Sequence, residues 1–367
     1  GCSIVHLLKF MSIQEVIHPL PEITGKVFLH FLKGKLHHVA MILTDGTEGG
    51  KDLNIYKKVD EVDFQNWTEQ NYNYLKLVFA GAPSTVITIR RAENAEGYNA
   101  ELKKLKDLKW NYLTIPGLGS TDTTTISAWI KQYRDDERKT FKAVLAHCKG
   151  DHEGIINLTT ENISTTITGA KHTAAEYCAR IAGVLAGLSL ARSSTYYVLD
   201  DISEAETPDD PDDRINAGEM VIVFDGRKYK IGRGVNSLVS FTTEKTEDVR
   251  FIKIVEGMDL YMDDIRETYE ESYVGKIIND YDGKQMFVAA IGAYHKGLLG
   301  NVLDKSYDNV VAIDIDAQRT YLESRGMDTS EMDDIAVAKA NTGTKVFIAS
   351  NVKFVNAMED LKMNVNM

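Results

Sequence analysis

Residues 142–158 read KAVLAHCKGDHEGIINL, and residues 172–188 read HTAAEYCARIAGVLAGL. The first stretch holds two short apolar runs, 142–147 and 154–158, of the kind that form buried strands. The second is too long for a strand. It spaces Ala174, Tyr177, Ile181, Val184 and Leu188 three or four apart, so it predicts a helix with those side chains inward. Upstream the same rhythm holds. Residues 39–44 read as a strand closed by Asp45-Gly46, residues 64–74 as a helix, and residues 75–79 as an apolar run ending in Gly81-Ala82-Pro83. Residues 85–90 (TVITIR) are rich in β-branched side chains and read as a strand. Residues 95–108 read as a helix on Leu102, Leu105 and Leu108, and residues 110–115 as a strand. A helix follows from a Ser120 or Thr121 cap to Arg134, with Ile126, Trp129, Ile130 and Tyr133 on one face. Alternating strands and helices with short links predict an α/β layer on a mainly parallel sheet.

Downstream, the acidic loop 204–213 (EAETPDDPDD) reads as a solvated turn. Residues 219–231 read as a hairpin turning on Asp225-Gly226. A long helix is expected from 245 to 262 and on towards Tyr273, with Gly275 breaking the pattern. The last hundred residues predict helices at 282–297, 316–325 (stopped by Gly326) and 332–341, a strand at 310–315, and two terminal strands, which together make a small α+β domain. Residues 344–367 read TKVFIASNVKFVNAMEDLKMNVNM, in which Leu361, Met363, Val365 and Met367 alternate with polar residues. That period marks a half-buried strand. Two placements stay open: the sheet edge of another copy of the chain, or an edge strand of its own domain.

A net charge of −12, from 42 Lys and Arg against 54 Asp and Glu, argues against a nucleic-acid-binding protein, which carries a basic face. Three cysteines, Cys2, Cys148 and Cys178, are too few and too odd for a disulfide framework and suit a reducing compartment. No run reaches the roughly 18 apolar residues of a membrane helix. The apolar stretch 4–10 has no small-residue cleavage site after it, so no signal peptide is read there, and Met11 offers an alternative start. Residues 1–35 read as an extended arm.

Several residues invite chemistry. His147, Cys148, His152 and Cys178 are zinc-type ligands, but their spacing is not a ligand comb. Gly232-Arg233-Gly234 follows a strand, yet Ser237 stands where a dinucleotide loop needs its third glycine. Asp151, His152, Ser193 and Ser194 supply the types of a hydrolase triad without a nucleophile elbow. No catalytic residue, metal ligand or cofactor site is therefore assigned, and binding or assembly is favoured over catalysis.

The order of several words resembles the contractile tail sheath proteins of bacteriophages and phage-like particles. They are NYLTIP (111–116), AVLAHCKGDHEGIINLTTENI (143–163), RIAGVLAGL (180–188), RINAGEMVIVFDG (214–226) and RGVNSL (233–238). A longer word spans 251–284, and IDIDAQRTYLESRG (313–326) and ANTGTKVFIASNVKFVNAMEDLKM (340–363) follow. The resemblance implies a subtilisin-like α/β domain without the protease (96–264) and a C-terminal α+β domain (265–350). It also implies a small N-terminal α/β portion (39–95), an arm at 1–38 and a terminal strand and arm at 351–367. It implies homohexameric rings stacked helically around a tail tube, with tube, baseplate and tail terminator proteins as partners, no nucleic acid and no membrane insertion. Strand exchange between subunits would then fall to Leu361, Met363, Val365 and Met367, or to Ile13, Val16, Ile17, Ile23, Val27 and Leu29 in the N-terminal arm. Contraction would drive the tube through a cell envelope. The alternatives are a subtilisin-like serine hydrolase and a nucleotide-binding α/β protein.

Overall fold

A computed structural model describes residues 37–365. They form two compact units, one of residues 37–256 with 356–365, the other of residues 257–355.

The larger unit is built on six strands: β1 (His38–Thr44), β2 (Leu53–Tyr56), β3 (Thr85–Arg91), β4 (Tyr112–Thr114), β5 (Lys142–Ala146) and β6 (Ile155–Leu158). Their order is β2-β3-β1-β4-β5-β6. Every neighbouring pair is parallel except β2 with β3. Burial of β1 from Val39 to Leu43 explains why that stretch is apolar without a break. Val39, Met41 and Leu43 enter one core, while Ala40 and Ile42 enter a second on the opposite face. In β5, Val144 and Ala146 share the first core and Ala143 and Leu145 the second. This is the two-sided burial expected of parallel strands.

Helices α1 (Glu69–Phe79), α2 (Asn99–Leu105), α3 (Ser120–Asp135) and α4 (Ala174–Gly187) cover the sheet. Residues of α1 and α4 fill the first core, and residues of α2 and α3 the second. Helix α1 begins five residues later than periodicity suggests. Phe64–Asn66 forms a 3-10 turn, and Thr68 caps α1 by accepting from the Asn71 N–H. The run 75–79 is its final turn and a half, not a separate element. Helix α4 starts on a capping box. The Thr173 hydroxyl accepts from the Glu176 N–H at 3.3 Å, and the Glu176 carboxylate accepts from the Thr173 N–H at 2.9 Å.

Two glycines let α4 lie against α1. A Cβ on Gly183 would stand 2.0 Å from the Val78 carbonyl oxygen, and one on Gly187 1.8 Å from that of Gly81. Gly183→Ala therefore tests packing against propensity. Alanine favours a helix by about 1 kcal/mol over glycine, but here the added methyl meets main chain that cannot rotate away. Overpacking costs about 1–3 kcal/mol, so urea unfolding of Gly183→Ala is expected at a lower midpoint than the parent. A higher midpoint would show that the helices separate freely.

Smaller pieces complete this unit. Strands β7 (Ile163–Thr165), β8 (Ala170–His172) and β9 (Ile202–Glu204) form an antiparallel sheet, and β10 (Ile222–Phe224) and β11 (Tyr229–Ile231) form the expected hairpin. At its turn Gly226 has φ +89°, and the Asp225 carboxylate accepts from the N–H groups of Arg227 and Lys228. The acidic loop is more ordered than a plain turn. Asp210 caps α5 (Pro211–Asn216), and Arg214 pairs with Glu206 and Glu219.

The long helix α6 (Ile252–Ser272) starts seven residues after the expected 245, because a 3-10 turn occupies Glu247–Arg250. Main-chain bonds from Asn236 N to Arg250 O and from Ile252 N to Gly234 O hold the chain extended there. The boundary between the two units falls inside this helix.

The second unit adds α7 (Tyr281–Leu298), β12 (Val310–Ile313), α8 (Ile315–Ser324), α9 (Asp334–Lys339) and β13 (Ile348–Asn351). Strands β12 and β13 pair antiparallel, Ile313 opposite Ile348. The Tyr261 hydroxyl joins α6 to α7 through His295 Nε2 at 2.8 Å and to β13 through Ser350 Oγ at 2.6 Å. Of the two terminal strands expected, one forms. After Asn351 the only further pairing among the described residues is a bridge from Leu303 to Phe354.

Candidate functional site

The residues that suggest catalysis serve other ends. His152 is buried, and both its ring nitrogens are engaged. Nδ1 accepts from the Gly154 N–H at 3.0 Å, and Nε2 faces the Asp135 carboxylate at 3.2 Å. That tautomer leaves no nitrogen to take a proton from a serine, as a triad requires. Burial lowers the affinity of the imidazole for a proton, against the raising influence of Glu153 and Asp135. The Ser237 hydroxyl bonds the main chain of His152 rather than its ring. Asp151 accepts from the N–H groups of Val239 and Ser240, so it pins a loop. Ser193 lies elsewhere and donates to Glu359 at 2.8 Å.

The thiols of Cys148 and Cys178 are buried, and burial pushes both up, away from the thiolate form that reacts or binds zinc. His147 instead meets Glu161 at 2.6 Å. The cluster of Asp135, His152 and Glu153 resembles a cation site, but the Lys245 ammonium already stands 3.2 Å from Asp135 and 3.0 Å from Glu153. At Gly234 a Cβ would stand 2.4 Å from Ser194 Oγ, so the Gly-Arg-Gly segment is a close backbone approach rather than a phosphate loop.

The alternating segment is a different kind of surface. Leu361, Met363 and Val365 are 87%, 71% and 71% exposed and have no regular structure. The strand read from their period is not formed within residues 361–365. A strand needs a partner edge, and this segment pairs with none of the described strands. Met367 lies outside the described residues, as do Ile13, Val16, Ile17, Ile23, Val27 and Leu29. Immediately before the exposed segment, Arg233 donates to Glu359 at 3.1 Å and to Asp360 at 2.7 Å. No local pattern announces these contacts, which join residues more than a hundred positions apart.

The hydroxyl, imidazole and carboxylate groups that suggested chemistry here hold loops, an arrangement that fits the class of structural proteins. Comparison with known proteins makes the class specific. The phage tail sheath protein central domain matches residues 92–237, and the phage tail sheath C-terminal domain matches residues 244–367. The tail sheath protein of Clostridium phage phiCD119 is 34% identical over 346 residues, 91% of this chain and 94% of that protein. The phage-like element PBSX protein XkdK of Bacillus subtilis is 32% identical over 149 residues, covering 38% of this chain and 31% of that protein. The sheath tail protein Lin1278 from Listeria innocua shares the fold with TM-score 0.69 at 16% identity, over 81% of this chain and 94% of that one. The anti-feeding prophage helical sheath in its contracted state does so with TM-score 0.66 at 14% identity, over 90% and 93%. The chain belongs to the phage tail sheath protein family, and it is a structural subunit rather than an enzyme.

Proposed function

We propose that this chain is the repeating subunit of a contractile sheath in a virion tail or phage-tail-like particle. Subunits form hexameric rings stacked helically around a tail tube, and the rings rearrange to drive the tube through a target envelope. The tube, baseplate and tail terminator proteins are its partners, and assembly takes place in the bacterial host cytoplasm. Each subunit lends an alternating terminal segment to a neighbour's sheet, through Leu361, Met363, Val365 and Met367, with the N-terminal residues Ile13, Val16, Ile17, Ile23, Val27 and Leu29 as a second link.

The observation that carries this reading is the exposed period-two segment in a chain that also holds a minimal sheet. Strands β12 and β13 pair only with each other among the described residues, which leaves each with one edge that no described strand occupies. Open edges accept added strands through main-chain hydrogen bonds. Heterologous contacts of this kind propagate as helices or stacked rings. Membership of the sheath family supports the same reading. Purified protein is expected to show rings or tubes in negative-stain images, with a repeat visible along the tube axis. Particles of single-subunit size under every salt and concentration condition would overturn it.

A further inference from the structure

Two words of the sequence that suggested chemistry, Ser193-Ser194 and Gly232 to Gly234, meet the acidic pair Glu359-Asp360 at one place. The Thr195 N–H donates to Ser193 Oγ at 3.1 Å, and the Gly234 N–H donates to Thr195 Oγ1 at 2.9 Å. This prearranged turn leaves the Ser193 hydroxyl pointing at Glu359 Oε1, 2.8 Å away. The Arg233 guanidinium lies 5.3 Å from the Phe251 ring centroid and bonds both Glu359 and Asp360. The Glu359 side chain is only 6% exposed, whereas Leu361 two residues later is 87% exposed. The segment thus passes from a buried charged anchor to an open apolar stretch within one residue of Asp360.

We propose that Ser193 and Arg233 form a clasp that holds the root of the terminal segment on its own subunit and fixes the direction and register in which residues 361–367 are presented to a second copy of the chain. The proposal rests on the reading that this segment pairs with a neighbour, and it adds the part that faces inward. Two consequences follow from its chemistry. A strand that must dock in one register gains from a fixed starting residue, because slipping by one position turns every side chain to the wrong face. Charge-assisted hydrogen bonds to a planar guanidinium also give the anchor a set geometry that a flexible lysine would lack.

The experiment places a nitroxide at Met358, which is fully exposed, in a Cys2→Ser, Met358→Cys protein. Cys148 and Cys178 are buried and stay unlabelled. Isolated subunits are expected to give a restrained spectrum at low and at high salt, because the Glu359 carboxylate is buried beside Arg233 and such a pair is screened little. Arg233→Gln is expected to raise the released population about tenfold, which corresponds to ~1.4 kcal/mol. Arg233→Glu with Glu359→Arg is expected to restore restraint, which a merely damaged fold would not allow. A mobile label in the parent, or equal restraint in Arg233→Gln, would overturn the clasp. Arg233→Gln is further expected to lower the yield of regular tubes. A freed label with normal tubes would overturn its role in presentation. Failure of strand exchange itself shows differently: removing 361–367 would then leave tubes intact while the label result stood.

Discussion

Deleting residues 361–367 is expected to yield subunits that fold and remain soluble but form no tubes. The deletion removes Leu361, Met363 and Val365, whose side chains are largely exposed and lie outside the cores of the fold. Surface changes of that kind move stability by about 0.5 kcal/mol or less, so the urea midpoint should match that of the full chain. Assembly should respond very differently. The seven-residue segment, added along a four-residue edge such as that of β12 or β13, makes roughly four main-chain hydrogen bonds worth about 0.5–1.5 kcal/mol each. Its apolar side chains add about 1.5–3 kcal/mol apiece when fully buried. Ordering a free segment offsets part of that gain, yet several kcal/mol per link remain, and each 1.4 kcal/mol is tenfold in association. Repeated at every subunit, that loss abolishes a polymer rather than weakening it. Sedimentation and negative-stain imaging read the outcome, with the Arg233 clasp left intact as an internal control. Normal tubes from the truncated chain would remove strand exchange at this end while leaving family membership untouched.

The sheet of the larger unit was legible because two-sided burial writes itself into sequence. Val39 to Leu43 and Ala143 to Ala146 are apolar on both alternating sets, and each set enters its own core. Helix α4 was legible for a related reason, since an element buried almost all round is apolar almost all round. Element ends were less so. Thr68 and Thr173 mark helix starts by side-chain capping, which outweighs the apolar period on which the first boundaries rested. The start of α6 is delayed by pairing with residues 234–236, a tertiary contact that no local window contains. The candidate site shows the same limit more sharply. Composition reveals that serines, histidines and aspartates are present, but not that His152 turns to Asp135 or that Ser193 turns to Glu359. Catalysis needs aim as well as residue type. The alternating period at 361–365 was visible from sequence, but a period does not supply a partner edge, and no described strand pairs with these residues.

Replacing Asp45 by asparagine is expected to cost the larger unit about 3–5 kcal/mol at neutral pH, the usual consequence of leaving a buried charge without its partner. Asp45 follows β1, and its side chain is fully buried beside Arg90, itself 8% exposed. One carboxylate oxygen accepts from Arg90 Nη1 at 3.0 Å and from the Thr47 N–H at 2.8 Å. The other accepts from the Thr68 N–H at 2.9 Å, the Thr68 hydroxyl at 3.1 Å and Asn71 Nδ2 at 2.7 Å. The residue therefore fastens the end of β1 to the start of α1 and to β3. An amide turns one acceptor into a donor facing donors, and it leaves the guanidinium, stacked 4.3 Å over the Trp67 ring centroid, without a counter-charge. Burial alone would raise the Asp45 carboxyl, but the hydrogen bonds from Asn71, Thr47 and Thr68 outweigh it and hold the group well below the ordinary carboxylate range. A depressed folded value fixes the sign. The stabilisation is complete above about pH 4, where the unfolded group also ionises, and it is lost as pH falls towards the folded value. Urea midpoints of parent and Asp45→Asn should thus differ widely at pH 7 and draw together progressively as pH falls below about 4 towards the folded value. A gap that stays constant across that range would show that shape, not charge, is what Asp45 contributes.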